Sequence, residues 1–256
     1  MPLQSLPERR IKQGGFWLGL ACVVFALGLS NCSGGKSQSR SQDPIGLFTA
    51  LPLLWQDGGD LGAELRPGSK PHWAAQVMDE HGGIVPLDTL SGVGGGKLAG
   101  LHWLVIAQPR ILSPADNVAL DDWVRGGGHL LLIIDPAYTE ESAFPIGDPR
   151  RPPDQAMLSP ILARWGLELK FDADQPLAAG TADVMGIEVP TILPGYFAAP
   201  ARGNCRTWSR GLAVACAIGK GRVLALADAA LLERDDPDGV GKHAFSALLD
   251  SAFLVR

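Results

Sequence analysis

Residues 101–136 read LHWLVIAQPRILSPADNVALDDWVRGGGHLLLIIDP, and this stretch decides the fold. Two runs, Leu101–Ala107 and His129–Asp135, have the length of strands and are apolar at nearly every position, as strands buried on both faces are. Between them Ser113 can cap a helix, and the three glycines that begin at Gly126 end it. Strand, helix and strand in this order predict a parallel βαβ unit with a right-handed crossover.

On both sides of this unit the apolar residues switch between the strand and helix periods. The predicted strands lie at 44–55 (with the loop that follows), 84–87, 167–171, 186–192 and 222–227, and the predicted helices lie at 72–81, 159–165 and 241–254. Apolar strands that alternate with helices favour a parallel sheet covered on both faces. The sequence therefore predicts an α/β fold with a doubly wound, mostly parallel sheet and antiparallel hairpin additions at one edge.

The composition is that of a globular chain, because 46% of its 256 residues are hydrophobic and 19% are charged. The net charge is −5. Residues 1–32 hold three basic residues and one acidic residue, so the remainder carries −7. Proteins that bind nucleic acid neutralise its phosphates with clustered lysine and arginine, which are scattered here. We therefore predict no nucleic-acid partner.

The N-terminus predicts export or membrane anchoring. Three basic residues precede the apolar run Phe16–Leu29, whose fourteen residues suit the core of a signal peptide. They fall short of the ~20 residues that a spanning helix needs. Counted from Gly14 to Cys32 the run has nineteen residues, so an uncleaved anchor stays open. We predict a signal peptide or membrane anchor at 1–32, a flexible Ser/Gly-rich linker at 33–43 and an α/β domain at 44–256.

The apolar run ends in Leu29-Ser30-Asn31-Cys32, which resembles a bacterial lipoprotein signal. The resemblance implies lipidation of Cys32, and Asn31 departs from the smaller residue that the family pattern has before the cysteine. More basic residues precede the run than closely follow it, which favours a domain outside the cytoplasm. The predicted location is membrane-anchored and extracytoplasmic, either on the periplasmic side of the inner membrane or as a lipoprotein.

Cys205 and Cys216 lie at equal distances from Arg210-Gly211. A hairpin that turns there places the two cysteines opposite one another, within the Cα–Cα range of a disulfide. We predict that they form a disulfide, which fits an exported domain. The alternatives are a pair of buried thiols and two cysteines that are one ladder position off register.

Two segments carry a family resemblance: residues 101–136, quoted above, and residues 219–233, GKGRVLALADAALLE. Together they resemble the GldG-like group of extracytoplasmic domains, which are linked with ABC-type transport systems. The resemblance spans residue 44 to the C-terminus. It implies a glutamine amidotransferase-like or flavodoxin-like form of the doubly wound sheet. It also implies a non-catalytic accessory subunit that contacts the permease and ATPase subunits of an ABC transporter.

Amidotransferase chemistry requires a cysteine on a sharp strand-to-helix turn and a histidine that activates it. The turn after residues 129–135 carries Pro136-Ala137 in that place, and neither Cys205 nor Cys216 lies on such a turn. The five histidines do not have the spacing of metal ligands. We therefore predict no catalytic residue, no metal and no cofactor, and hence a chain that is not an enzyme.

Open α/β sheets bind ligands at the carboxyl ends of their strands. Polar residues follow three predicted strands there, and the loop at 144–154 adds charged ones. The candidate ligand- or partner-binding residues are Gln108, Arg110, Asp135, Asp148, Arg150, Arg151 and Asp228. Such side chains suit a carboxylate, a sugar or a peptide, unless the loop's arginines and aspartates pair with one another. A solute- or glycan-binding module and an amidotransferase-like hydrolase remain as rival functions.

Overall fold

The computed structural model describes residues 43–55, 72–92, 96–198, 204–233 and 235–253. The predicted signal peptide or anchor, with Cys32, and all of the predicted linker except Asp43 lie outside these residues. Within the described ranges no helix is both long and apolar enough to cross a membrane.

Most of the described residues are organised around one mixed sheet. In chain order the elements are β1 (Ile45–Thr49), α1 (Trp73–His81), β2 (Ile84–Pro86), β3 (Trp103–Ala107), α2 (Pro114–Gly126), β4 (His129–Ile133), α3 (Ser159–Arg164), β5 (Glu168–Lys170), β6 (Ala179–Val184), β7 (Ile187–Ile192), β8 (Tyr196–Ala198), β9 (Cys205–Trp208), β10 (Ala213–Ile218), β11 (Gly221–Leu226) and α4 (Val240–Phe253). Seven strands form the main sheet in the order β2-β1-β3-β4-β11-β10-β9. Neighbours from β2 to β11 are parallel, whereas β10 is antiparallel to both β11 and β9.

The unit β3-α2-β4 forms where residues 101–136 predict it. Ser113 caps α2, since its Oγ accepts a hydrogen bond from the backbone N–H of Asp116 at 3.1 Å. Gly127, at φ 124°, ends the helix, and its N–H donates to the Val124 carbonyl at 3.0 Å. β3 and β4 then pair in parallel from Trp103 opposite His129 onward.

Helices cover both faces of the main sheet. On one face α1 and α4 pack against the strands, with Met78 and Phe245 fully buried. On the other face α2 and α3 do so, with Leu120 and Ile161 buried. The parallel strands thus have apolar neighbours on both sides, which explains why β3 and β4 are apolar at every position except His129.

The predicted fold class is wrong. A regular doubly wound sheet of the amidotransferase-like or flavodoxin-like kind joins each parallel strand to the next through a crossover, usually a helix. Here the chain between β4 and β11 contains α3, two separate antiparallel pairs (β5–β8 and β6–β7) and the β9–β10 hairpin, so the fold is a mixed α/β sheet. The predicted strands at 167–171 and 186–192 do not join the main sheet. They pair with β8 and β6 instead, as β5 and β7.

A disulfide joins β9 to β10. Cys205 and Cys216 are opposite one another in the ladder, with Cα atoms 4.1 Å apart and a sequence separation of eleven. Cys216 is buried on the face that α2 and α3 cover. The bond therefore fixes the edge strand to the rest of the sheet.

We expect the Cys205→Ser, Cys216→Ser variant to lose about 3 kcal/mol of unfolding free energy, as a loop of this length implies. Urea denaturation of the oxidised wild type, the reduced wild type and the variant measures the loss. The reduced wild type is the matched control, and it should unfold at the same urea concentration as the variant. Equal midpoints for the oxidised and reduced wild type would contradict the expectation.

Candidate functional site

The carboxyl ends of β3, β4 and β11 meet at one edge of the sheet, where Gln108 follows β3. Its Nε2 donates to the carbonyls of Asp135 (3.2 Å) and Pro153 (2.9 Å), and its Oε1 accepts from the Asp135 N–H (2.8 Å). The backbone of Gln108 has φ 38°, a left-handed conformation rare for a side chain of this size. With both amide hydrogens donated and no exposed surface, Gln108 ties strand ends and a loop together.

Asp135 and Asp228 follow the adjacent strands β4 and β11, and both are buried. Asp135 accepts hydrogen bonds from the N–H groups of Ala137 (2.7 Å) and Ala229 (3.2 Å). Asp228 accepts from the N–H groups of Ala230 (2.7 Å) and Ile192 (2.9 Å), so it ties the end of β7 to the end of β11. Each carboxylate therefore acts as a backbone clamp.

Burial sets the protonation of both clamps. It raises the pKa of Asp135 to about 6, despite the hydrogen bonds that Asp135 accepts from backbone N–H groups. Burial, and then the negative charge of Asp135, raise the pKa of Asp228 to about 8. Carboxyl groups with such pKa values can exchange protons near neutral pH, as catalytic acids do. Because Asp228 has no exposed surface and Asp135 has 2%, their observed role is structural.

Three neighbours of this carboxyl pair were not predicted from the sequence. The hydroxyl of Tyr138 donates to Glu140 Oε2 at 2.6 Å, and burial together with the charge of Glu140 raises the pKa of Tyr138. Burial, and then the charges of Glu140 and Asp135, raise the pKa of Glu233. Tyr138 and Glu140 lie in one loop and Glu233 in another, so no sequence pattern marks the three as one cluster. In the described part of the chain no group of three or more His, Cys, Asp or Glu side chains is arranged to hold a metal.

The charged residues of the loop at 144–154 pair within the loop. Arg150 contacts Asp148 through Nε (3.1 Å) and Nη2 (2.9 Å), and its guanidinium carbon lies 4.1 Å from the centre of the Phe144 ring. The hydrogen bonds from Arg150 lower the pKa of Asp148 to about 2. Arg151 contacts Asp154 at 3.2 Å. These pairs are the alternative to a ligand site that the sequence leaves open.

A groove lies beside this loop, and we call it the proline groove. Its volume is about 600 Å³, and its lining residues are Pro109, Arg110, Ile111, Pro153, Asp154, Gln155 and Met157. Ile111 is 71% exposed and Met157 is 56% exposed. Of the predicted site residues only Arg110 lines this groove. The apolar pair was missed, because isolated hydrophobic residues in loops are common and carry no pattern.

The structure therefore separates the predicted site residues into two groups. Gln108, Asp135 and Asp228 form one buried hydrogen-bonded set at the strand ends. Arg110, Asp148, Arg150 and Arg151 surround the loop, where Arg110 Nη2 donates to the Arg151 carbonyl at 3.2 Å. Gln108 connects the two groups through the Pro153 carbonyl.

Comparisons with known proteins give structural likeness only. The chain matches no family model and no curated protein. It is similar to the solved structure of cytoplasmic protein STM3548 from Salmonella typhimurium, with a TM-score of 0.52 and 11% identity, over 83% of this chain and 98% of that chain. A second such protein, STM1381 from Salmonella typhimurium LT2, gives a TM-score of 0.49 and 14% identity, over 82% of this chain and 99% of that chain.

The solved structures similar to this chain also include glycoside hydrolases. One is exo-β-1,4-mannosidase Op5Man5 from Opitutaceae bacterium strain TAV5, with a TM-score of 0.47 and 17% identity over 82% of this chain. The chain spans 36% of that enzyme's length. Another is the β-galactosidase from Halorubrum lacusprofundi, with a TM-score of 0.47 and 16% identity. The match covers 84% of this chain and 31% of that enzyme.

The prediction that the chain is not an enzyme was wrong as an inference from the sequence. The prediction rested on a missing cysteine elbow, which excludes amidotransferase-type thiol chemistry and no other chemistry. Other reactions use other nucleophiles or a general acid and base, so the inference from one missing cysteine to no catalysis was wrong. The likeness assigns neither a reaction nor a substrate to this chain.

Proposed function

We propose that the chain is an extracytoplasmic accessory subunit of an ABC-type transport system and that it contacts the membrane permease through the proline groove. The observation that carries the proposal is the pair Ile111 and Met157. Both side chains are exposed, and both line the groove. Apolar anchors with a charged rim are the usual anatomy of a protein–protein contact. Arg110 and Asp154 provide that rim with one charge of each sign.

The walls of the proline groove are held in place from inside the domain. The Pro153 carbonyl accepts a hydrogen bond from buried Gln108 at 2.9 Å. Arg110 and Arg151 link the two walls through the Arg151 carbonyl at 3.2 Å. Proline at two lining positions further limits the backbone. A preformed surface loses little conformational entropy when a partner binds, which favours its use as a contact.

The occupant that we propose is an extracytoplasmic segment of the permease with one apolar side chain that enters between Ile111 and Met157. The N-terminal apolar run and the GldG-like resemblance of the sequence support a partner in the membrane. The mixed charges of the rim suit a segment that carries polar groups on both sides of its apolar residue.

The first prediction for this contact concerns the double variant Ile111→Glu, Met157→Glu. We expect it to weaken the complex by about 100-fold, because burial of the two anchors is replaced by desolvation of two carboxylates. The measurement is affinity purification of the full-length protein from detergent-solubilised membranes, with co-purifying proteins identified by mass spectrometry. The wild type should recover an ABC permease and ATPase in near-stoichiometric amounts, and the variant should lose both.

The matched control is Val118→Glu, Leu177→Glu, which adds the same charge at two apolar residues that are 62% and 73% exposed. This control should recover the permease as the wild type does. Loss of the permease in the control as well would show that charge alone disrupts the complex and would remove the groove from the proposal. Recovery of the wild-type protein alone, across several mild detergents, would overturn the proposed function itself.

A further inference from the structure

A second groove lies at the antiparallel end of the main sheet, and we call it the arginine groove. Its volume is about 400 Å³, within the range of small-ligand sites. The lining residues that matter here are Met185, Arg206, Trp208, Ala215, Ala217 and Arg222. None of them lines the proline groove or belongs to the buried set of Gln108, Asp135 and Asp228.

Strand register places these residues on one face of the sheet. Arg206 is opposite Ala215, and Arg222 is opposite Ala217. Residues directly opposite in an antiparallel pair lie on the same face, as do residues two apart in one strand. Trp208 therefore shares this face. The two arginines stand two strands apart with an offset of two residues, so their Cα atoms are about 12 Å apart.

The residues of the groove floor are small. Ala215 is half-buried and Ala217 is exposed. The end of α4 forms one wall through Ser251 and Ala252, and the turn between β6 and β7 forms another through Met185. The floor and the walls thus consist mainly of apolar atoms, and the two guanidinium groups lie on its flanks.

The charges of the two arginines are not neutralised within the described ranges, where neither has a carboxylate oxygen within 4.0 Å. The guanidinium carbon of Arg206 lies 5.2 Å from the centre of the Trp208 ring, a cation–π contact that holds the side chain over the groove. The sequence around them is basic, since residues 189–227 include five basic residues and no acidic residue. This local positive charge contrasts with the net −7 of the chain after residue 32.

We propose that the arginine groove binds a carboxylate that is attached to an apolar body. Arginine stays charged at every physiological pH and forms paired hydrogen bonds with a carboxylate. The alanine floor, with Met185 and Trp208 beside it, removes apolar surface of the ligand from water. Two sources offer this chemistry: a free organic acid, and the C-terminal carboxylate of a peptide that ends in an apolar residue. The proposal does not depend on the proline groove.

Isothermal titration calorimetry with four probes tests the proposal. Phenylacetate and its neutral amide represent the free acid, and N-acetyl-Ala-Phe with a free or an amidated C-terminus represents the peptide. We expect the acid of at least one pair to bind with a dissociation constant on the order of 1 mM, as the size of these probes implies. Its amide should bind at least tenfold more weakly. The pair that shows the larger difference identifies the source.

The variant Arg206→Ala, Arg222→Ala should weaken the bound acid by more than tenfold, because it removes both guanidinium groups. The control Lys97→Ala, Lys242→Ala removes the same charge at exposed sites outside the groove and should leave the affinity unchanged. Equal affinity for an acid and its amide would overturn the proposal. Absence of saturable binding by both phenylacetate and N-acetyl-Ala-Phe would overturn it as well. Tighter binding of inorganic phosphate than of either acid would also overturn it.

Discussion

Urea denaturation is expected to show that the domain loses stability as the pH rises from about 5 to about 8, and that Asp228→Asn flattens this profile. Burial, and then the charge of Asp135, raise the pKa of Asp228 to about 8. The pKa of an aspartate in the unfolded chain is about 4. Between about pH 4 and pH 8, Asp228 therefore holds a proton in the folded chain and releases it in the unfolded chain. The stabilisation is complete below about pH 4 and is lost as the pH rises through 8, with a size of up to about 5 kcal/mol.

The neighbours of Asp228 strengthen the pH dependence. Burial raises the pKa of Asp135 to about 6. Deprotonation of this carboxyl therefore also destabilises the folded chain, at a lower pH than deprotonation of Asp228. Burial, followed by the charges of Glu140 and Asp135, also raises the pKa of Glu233. Each deprotonation adds negative charge beside the others. The loss in stability is therefore expected to be steeper than one carboxyl would produce.

The decisive readout is the slope of stability against pH. In Asp228→Asn one oxygen still accepts a backbone N–H, but the amide nitrogen meets the second N–H, of Ile192 or Ala230, so stability at low pH should fall by about 1–3 kcal/mol. The slope between about pH 6 and 8 should nevertheless become small. Asp174→Asn, at an exposed aspartate, is the control and should keep the wild-type slope. A wild-type profile that rises over this range would contradict the expectation.

Asp116→Ala is expected to lower the unfolding free energy by about 3–4 kcal/mol. The Oδ1 atom of Asp116 accepts hydrogen bonds from the Thr89 hydroxyl (2.8 Å) and from the N–H groups of Leu90 (2.9 Å) and Ser91 (2.8 Å). Leu90 has no exposed surface, so its N–H would be left buried without an acceptor. Chemical denaturation measures the loss, and Asp122→Ala, at an exposed aspartate of the same helix, should change stability by less than about 0.5 kcal/mol.

The pH dependence of Asp116 has the opposite sign. Burial alone would raise the pKa of its carboxyl, but hydrogen bonds from Ser113, Thr89 and Ser91 outweigh burial and hold the pKa well below its usual range. Its stabilisation is present above the unfolded pKa of about 4 and is lost at more acidic pH. The difference in stability between wild type and Asp116→Ala should therefore shrink on acidification. A constant difference down to about pH 2 would exclude a role for the charge.

The sequence predicts local structure where each signal is local. α2 is an example, because Ser113 and Gly127 determine its ends through contacts within a few residues. The fold class depends on contacts between distant strands, which periodicity does not report. An apolar strand such as β11 has the same pattern whether its neighbour is parallel β4 or antiparallel β10. The separate pairs β5–β8 and β6–β7 join segments whose pairing depends on the folded chain.

The candidate site shows the same limit. The strand-end rule locates Gln108, Asp135 and Asp228 at one edge, but their hydrogen bonds to backbone groups depend on loops that sequence patterns do not place. The exposure of Ile111 and Met157 depends on how two loops face each other across the proline groove. Such features follow from tertiary packing, so they become visible only in the structure.

The disulfide between β9 and β10 also determines how the domain yields to force. A chain pulled from its two ends lengthens by the full extended span of every segment that unravels. The bond between Cys205 and Cys216 withholds the eleven-position loop between them, which would add about 35 Å of contour length. If the domain is tethered at one end and pulled by a bound partner, the loop between the two cysteines therefore stays closed under tension. Its contour length is released only after the disulfide is reduced.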